Sequence, residues 1–118
     1  MLQLLLLINS VRASNHQLTA DANLMNIAEQ RCESMKTFSH DDFWSTYKYK
    51  IGGAGYYYVA ENLAIDFSDA TSTFKALEAS KSHHAIEHSP QYQKVGMFVC
   101  QPTNFKGQNL VVVEFGGN

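Results

Sequence analysis

Two apolar runs near the end of the chain, Val95-Gly96-Met97-Phe98-Val99-Cys100 and Leu110-Val111-Val112-Val113-Glu114-Phe115, constrain its fold more than any other feature. Both are rich in β-branched and aromatic residues, which suit a pleated surface. A loop holding Pro102, Asn104, Gly107 and Asn109 joins them, so the pair reads as an antiparallel hairpin. The patterns before them are mostly helical. From Leu24 through Ile27 or Ala28 and Arg31 or Cys32 to Met35, side chains recur at helical spacing behind a cap at Thr19 or Asp21. Helices first and strands last make this an α+β chain, with a small antiparallel sheet covered by helices.

The opening run Leu4-Leu5-Leu6-Leu7-Ile8 leads into a helical face of Leu4, Leu7, Ile8 and Val11. It lacks the basic flank and the cleavage site of a signal peptide. It is also far shorter than the roughly 20 apolar residues that cross a bilayer. It therefore reads as a buried helix in a chain with no leader and no transmembrane segment. Phe38-Ser39-His40-Asp41-Asp42 favours turns, a short helix follows through Phe43 to Tyr47, and Gly52-Gly53-Ala54-Gly55 is a flexible connection. Tyr56 to Ala60 has strand propensity and runs into Glu61-Asn62-Leu63-Ala64. Ser68 or Asp69 caps a helix with Ala70, Phe74 and Leu77 on one side that continues to about Ser82. Pro90 stops the segment that contains His84 and His88. The expected core is Leu4, Leu7, Leu24, Ala28, Phe74, Leu77, Val95, Val111 and Val113.

A chain of 118 residues is enough for one domain, 1–118. Its 9 basic and 11 acidic side chains give a net charge of -2, which leaves no basic face for nucleic acid and no polybasic membrane patch. Cys32 and Cys100 are too few for a disulfide framework. They could pair across the fold, but one in a helical and one in a strand pattern read more readily as two small buried thiols.

Three segments hold groups with chemistry: Phe38-Ser39-His40, Ala60-Glu61-Asn62 and Ser80-Lys81-Ser82-His83-His84. Each lies where a regular element begins or ends, so their side chains could converge on one cleft. In combination and order they resemble the CAP superfamily of cysteine-rich secretory, antigen 5 and pathogenesis-related proteins, and within it the bacterial single-domain SCP-like branch. Leu7-Ile8-Asn9-Ser10-Val11-Arg12 is similar to that family's Ile/Val-Asn-x-x-Arg helix, and Leu18-Thr19-Ala20-Asp21 with Leu24, Ala28 and Met35 to its second helix. Phe38-Ser39-His40 matches the motif carrying its first cavity histidine. Ala60-Glu61-Asn62-Leu63-Ala64 matches its Gly-Glu-Asn-Ile/Leu-Ala motif, with Ala60 in place of glycine, and Ser80-Lys81-Ser82-His83 matches its Ser-Pro-Gly-His segment. Pro90 and Val95-Gly96 fall where the family has Asn-Pro and Ile/Val-Gly.

The resemblance implies a CAP-like α-β-α sandwich and a surface cleft built from His40, Glu61 and His83, able to hold zinc or another divalent cation weakly. The family's further glutamate is missing, because Ser80 stands at its position. Glu78 lies two residues away, about 200° round a helix, and should face away. His84 and His88 are spaced i, i+4 but read, like Glu87, as a solvated helix end. Ser39 and Ser82 adjoin histidines in sequence, yet no Gly-x-Ser-x-Gly elbow is present. The favoured function is a non-enzymatic, extracellular or surface-displayed binding module for a small ligand or a protein surface. The alternatives are a metal-dependent hydrolase with Glu61 as base, and a structural module of a larger assembly such as a virion.

Overall fold

Strand β4 (Leu110–Gly117) lies inside a four-stranded sheet, and each of its residues is buried. The structure is a computed structural model that describes residues 2–118. Strand β4 pairs antiparallel with β3 (Lys94–Cys100) on one side and with β2 (Tyr58–Ile65) on the other. A two-residue strand, β1 (Thr19–Ala20), adds to the far edge of β3 in parallel, so the sheet is mixed rather than purely antiparallel. β2 begins two residues later than its tyrosine run and is the free edge beside which the cleft forms.

The alternation of β4 divides the core. Leu110 and Val112 pack with Leu63 of β2 against Ala28, Cys32 and Met35. Val111, Val113 and Phe115 point the other way, into a cluster with Leu4, Ile8 and Leu77. Helices therefore cover both faces. Helix α2 (Ala22–Ser34) is capped by Asp21, whose Oδ1 accepts the Leu24 N–H at 2.9 Å. It crosses β3 at Gly96, where a Cβ would lie 2.1 Å from the Leu24 carbonyl carbon. Only glycine fits there.

On the other face lie α1 (Leu2–Ser10), α4 (Ala70–Ala79) and α5 (Lys81–His88). Helix α1 stops at Ser10, so Val11 turns outward and Arg12 turns inward. The Arg12 guanidinium donates to the carbonyls of His16, Glu87 and Tyr92 at 2.6, 2.7 and 2.8 Å. Asn9 exchanges two hydrogen bonds with the Leu18 backbone, at 2.8 and 2.9 Å. The Asn-x-x-Arg motif thus staples the first helix to the loops around it.

Four expectations change. The helix after Asp69 is two helices, because Ser80 takes an extended conformation (φ -93°, ψ 123°) and turns α5 away from α4. The short helix at Phe43–Tyr47 is a π-helical turn that runs straight into α3 (Lys48–Gly53), so Gly52 and Gly53 are helical. Leu7 and Phe74 are only partly buried. Cys32 and Cys100 form a disulfide with Cα atoms 6.2 Å apart, joining α2 to the end of β3. Both expected burial sites were compatible with either state, and the register of α2 on β3 brings them within bonding range. No helix among the described residues is long and apolar enough to cross a membrane.

Candidate functional site

His40, Glu61 and His83 line one cavity of about 330 Å³. Three elements supply them: His40 comes from the bend before the π-helical turn, Glu61 from β2, and His83 from the first turn of α5. The His40 carbonyl accepts the Trp44 N–H at 3.1 Å, and the His83 carbonyl accepts from Asn62 Nδ2 at 3.3 Å. Phe43, Trp44, Ile86 and Tyr92 form the apolar walls. Ser82 also lines the cavity, but its Oγ pairs with Ser80 Oγ at 3.4 Å and not with an imidazole.

Glu61 is the polar floor, and its charge is already matched. Arg31 Nε donates to Oε2 at 3.0 Å and Arg31 Nη2 to Oε1 at 3.2 Å, with both side chains buried. His40 Nδ1 lies 3.0 Å from Oε1. Arg31 Nη2 also donates to the Ser39 carbonyl at 2.6 Å, which ties α2 to the turn that carries His40. Directly across the ladder from Glu61 is Glu114, fully buried, with neither oxygen receiving a hydrogen bond. Burial pushes its carboxyl well above the usual range, and the adjacent Glu61 pushes it further. Both effects favour the protonated form of Glu114 beside the ion-paired Glu61.

Burial holds the His83 imidazole below its ordinary range, and His40 nearby adds to this. His83 is thus neutral at pH 7. Behind it, Glu87 is fully buried rather than solvated, and burial with the Glu78 charge pushes its carboxyl up to about 8. Its neighbour Asn62 opposes this rise, but by less than burial and Glu78.

A second cluster stands apart from the cleft. Glu78, His84 and His88 each present one ligand atom within 4.8 Å of the other two, and this group could hold a metal ion. Glu78 does face away from the cleft, as its helical position requires, but the break at Ser80 gives it partners on the solvent-exposed end of α5 that the sequence did not show. That break swings α5 back so that His88 Nε2 reaches Glu78 Oε1 at 2.9 Å.

Sequence reasoning did not single out Arg31, Glu114, Glu87 or the Glu78 cluster as polar sites. A signal existed for two of them: Arg31 lies on an apolar helical stripe and Glu114 interrupts an apolar strand, and a charge in such a place needs a buried partner.

No family model matches the chain, and no curated protein sequence matches it. Solved structures do. An outer surface protein from Borrelia burgdorferi superposes with a TM-score of 0.81 at 21% identity, over 100% of this chain and 92% of that one. An extracellular protein containing an SCP domain from Bacillus anthracis gives 0.79 at 22% identity, over 100% of this chain. A cysteine-rich secretory protein from Staphylococcus aureus gives 0.78 at 18% identity, over 99% of this chain. The chain spans 40% and 38% of the latter two. Its fold is that of the SCP-like, CAP-type domain.

Proposed function

We propose that this chain is a non-enzymatic binding module whose cleft takes a small organic ligand, with His40, Glu61 and His83 as its polar contacts. The cavity carries the reading. It is of ligand size, with aromatic and aliphatic walls and a few convergent polar groups, as in small-molecule sites. His83, held below its ordinary range by burial, and a His40 oriented by Glu61 offer ring nitrogens for hydrogen bonds. The family resemblance implies a divalent cation here, and the donor set does not suit one. The buried guanidinium of Arg31 already occupies Glu61 and would oppose a dication, so no role is assigned to a metal in the cleft.

A surface or extracellular location fits the same reading. The Cys32–Cys100 bridge belongs to an oxidising compartment, and the solved relatives are described as outer-surface, extracellular or secretory proteins.

Trp44 is the only tryptophan and lines the cavity, so its fluorescence reports on the cleft. A fragment library screened by Trp44 emission and by amide NMR shifts should give hits that perturb His40, Trp44 and His83 together. Those hits should weaken at least tenfold in His83→Ala. A library whose hits all map elsewhere would overturn the proposal.

A further inference from the structure

We infer that Glu78, His84 and His88 form a binding site for a zinc-type divalent cation at the elbow between α4 and α5, separate from the cleft. His84 and His88 lie one helical turn apart on α5, with their rings stacked at 3.9 Å between centroids and 14° between planes. Both turn a ring nitrogen toward the same carboxylate. His88 Nε2 lies 2.9 and 3.1 Å from the two Glu78 oxygens, and His84 Nε2 lies 3.7 Å from Oε2.

The backbone builds this arrangement. On one continuous helix, Glu78 and His88 would be separated by ten residues, or about 15 Å along the axis. The extended Ser80 between the two helices folds that distance away. The side chains of His84, His88 and Glu78 are 50%, 32% and 18% exposed, so an ion reaches them from solvent without an opening motion.

The chemistry selects the metal class. The two imidazole nitrogens are borderline donors, so with one carboxylate oxygen the set suits zinc, copper or nickel and suits calcium or magnesium poorly. Three protein ligands leave a coordination position for water, the pattern of an open zinc site. Among the described residues no buried cation competes here: in the cleft Arg31 lies against Glu61, whereas the polar contacts of the Glu78 carboxylate are with these two histidines.

The test is calorimetric titration of the full chain with zinc sulfate, repeated with magnesium chloride. One equivalent of zinc should bind, and magnesium should not bind measurably at the same concentrations. Glu78→Gln, which keeps the side chain's shape, and the double variant His84→Ala with His88→Ala should each weaken zinc binding at least tenfold. His40→Ala with His83→Ala should change it less than twofold. Imidazole NMR of the unmutated protein avoids any folding defect: zinc should shift the His84 and His88 resonances ahead of those of His40 and His83. No saturable zinc binding below millimolar concentration would overturn the inference. So would loss of binding in the His40, His83 variant with retention in the His84, His88 variant, which would put the ion in the cleft. The fragment screen at Trp44 reads the cleft alone, so the two proposals fail independently.

Discussion

Arg31 and Glu61 form a buried ion pair between α2 and the edge strand β2, with 3.0 Å from Nε to Oε2. Glu114 stands opposite Glu61 in the ladder, buried and without a hydrogen-bond partner of its own. One buried cation can balance one carboxylate, so burial and the adjacent Glu61 push the Glu114 carboxyl well above its usual range. Arg31 thus pairs the carboxylate at the floor of the cleft, which favours uncharged polar groups on a ligand.

This arrangement predicts a non-additive pair of variants. Glu114→Gln puts a neutral amide where burial disfavours a charge and should change stability by less than about 1 kcal/mol. Glu61→Gln alone is partly rescued, because Glu114 can then ionise toward Arg31. The double variant leaves Arg31 buried with no carboxylate and should cost roughly 3–5 kcal/mol, more than the two single costs together. Urea unfolding of the four proteins measures the cycle, and additivity within about 0.5 kcal/mol would refute the shared charge.

The disulfide closes a long loop, with 68 residues of sequence separation between Cys32 and Cys100. Chain entropy assigns such a closure about 4 kcal/mol, acting through the unfolded state. Replacing both cysteines by alanine should lower the stability by roughly 2–5 kcal/mol, read from the urea midpoint. The same loss should appear when the wild-type protein is reduced, and unchanged stability in both experiments would contradict a bridge.

The fold was legible where one periodicity ran unbroken. The β3–β4 hairpin and α2 behind its Asp21 cap show this, since alternation and 3.6-residue spacing directly express which side faces the core. What failed to show depended on distance in space. Ser80 is neither glycine nor proline, so the break that creates α5 left no mark on the apolar pattern, and with it the approach of His88 to Glu78 stayed hidden. Strand β1 has two residues, too few to display any alternation. The cysteine pairing required the relative placement of α2 and β3, which neither element encodes alone. His40, Glu61 and His83 were named through motif resemblance, whereas Arg31 appeared only as one of two candidates for a core position; it and Cys32 are both buried.

Gly96 tests how closely α2 lies on the sheet. A methyl group there meets backbone atoms of Leu24 and Met25 at 2.1 to 2.4 Å, and backbone cannot rotate aside as a side chain can. Gly96→Ala should therefore destabilise by about 1–3 kcal/mol or more, while Gly52→Ala, with nothing within 4 Å, should be neutral or slightly stabilising. Thermal unfolding of the two variants gives the comparison, and a Gly96→Ala protein as stable as wild type would show a looser helix–sheet contact.

Tyr56 and Asp21 predict how stability depends on pH. Tyr56 Oη donates to Asp21 Oδ2 at 2.6 Å, while Asp21 Oδ1 caps α2, so a single carboxylate fastens the segment before β2 to the start of a core helix. The tyrosine's hydrogen bond, with the Leu24 N–H, holds Asp21 below its ordinary 3.8, and burial with the Asp21 hydrogen bond pushes Tyr56 up to about 12. For Asp21 the folded value is the lower one, so its contribution is present above pH 3.8 and fades as pH falls through the depressed value. For Tyr56 the folded value is the higher one, so its contribution is present below pH 10 and fades as pH rises toward 12. Both groups are only partly buried, and the bond should be worth only about 1 kcal/mol. Tyr56→Phe should lose that amount at pH 7 and flatten the alkaline limb. Asp21→Ala should lose the cap as well, about 1 kcal/mol more. Asp21→Asn keeps the cap and should flatten the acid limb, and weaken the alkaline one too because the Asp21 charge helps to raise Tyr56. Urea unfolding across the pH range reads all three, and a Tyr56→Phe protein with the wild-type slope between pH 10 and 12 would show that this bond does not stabilise the fold.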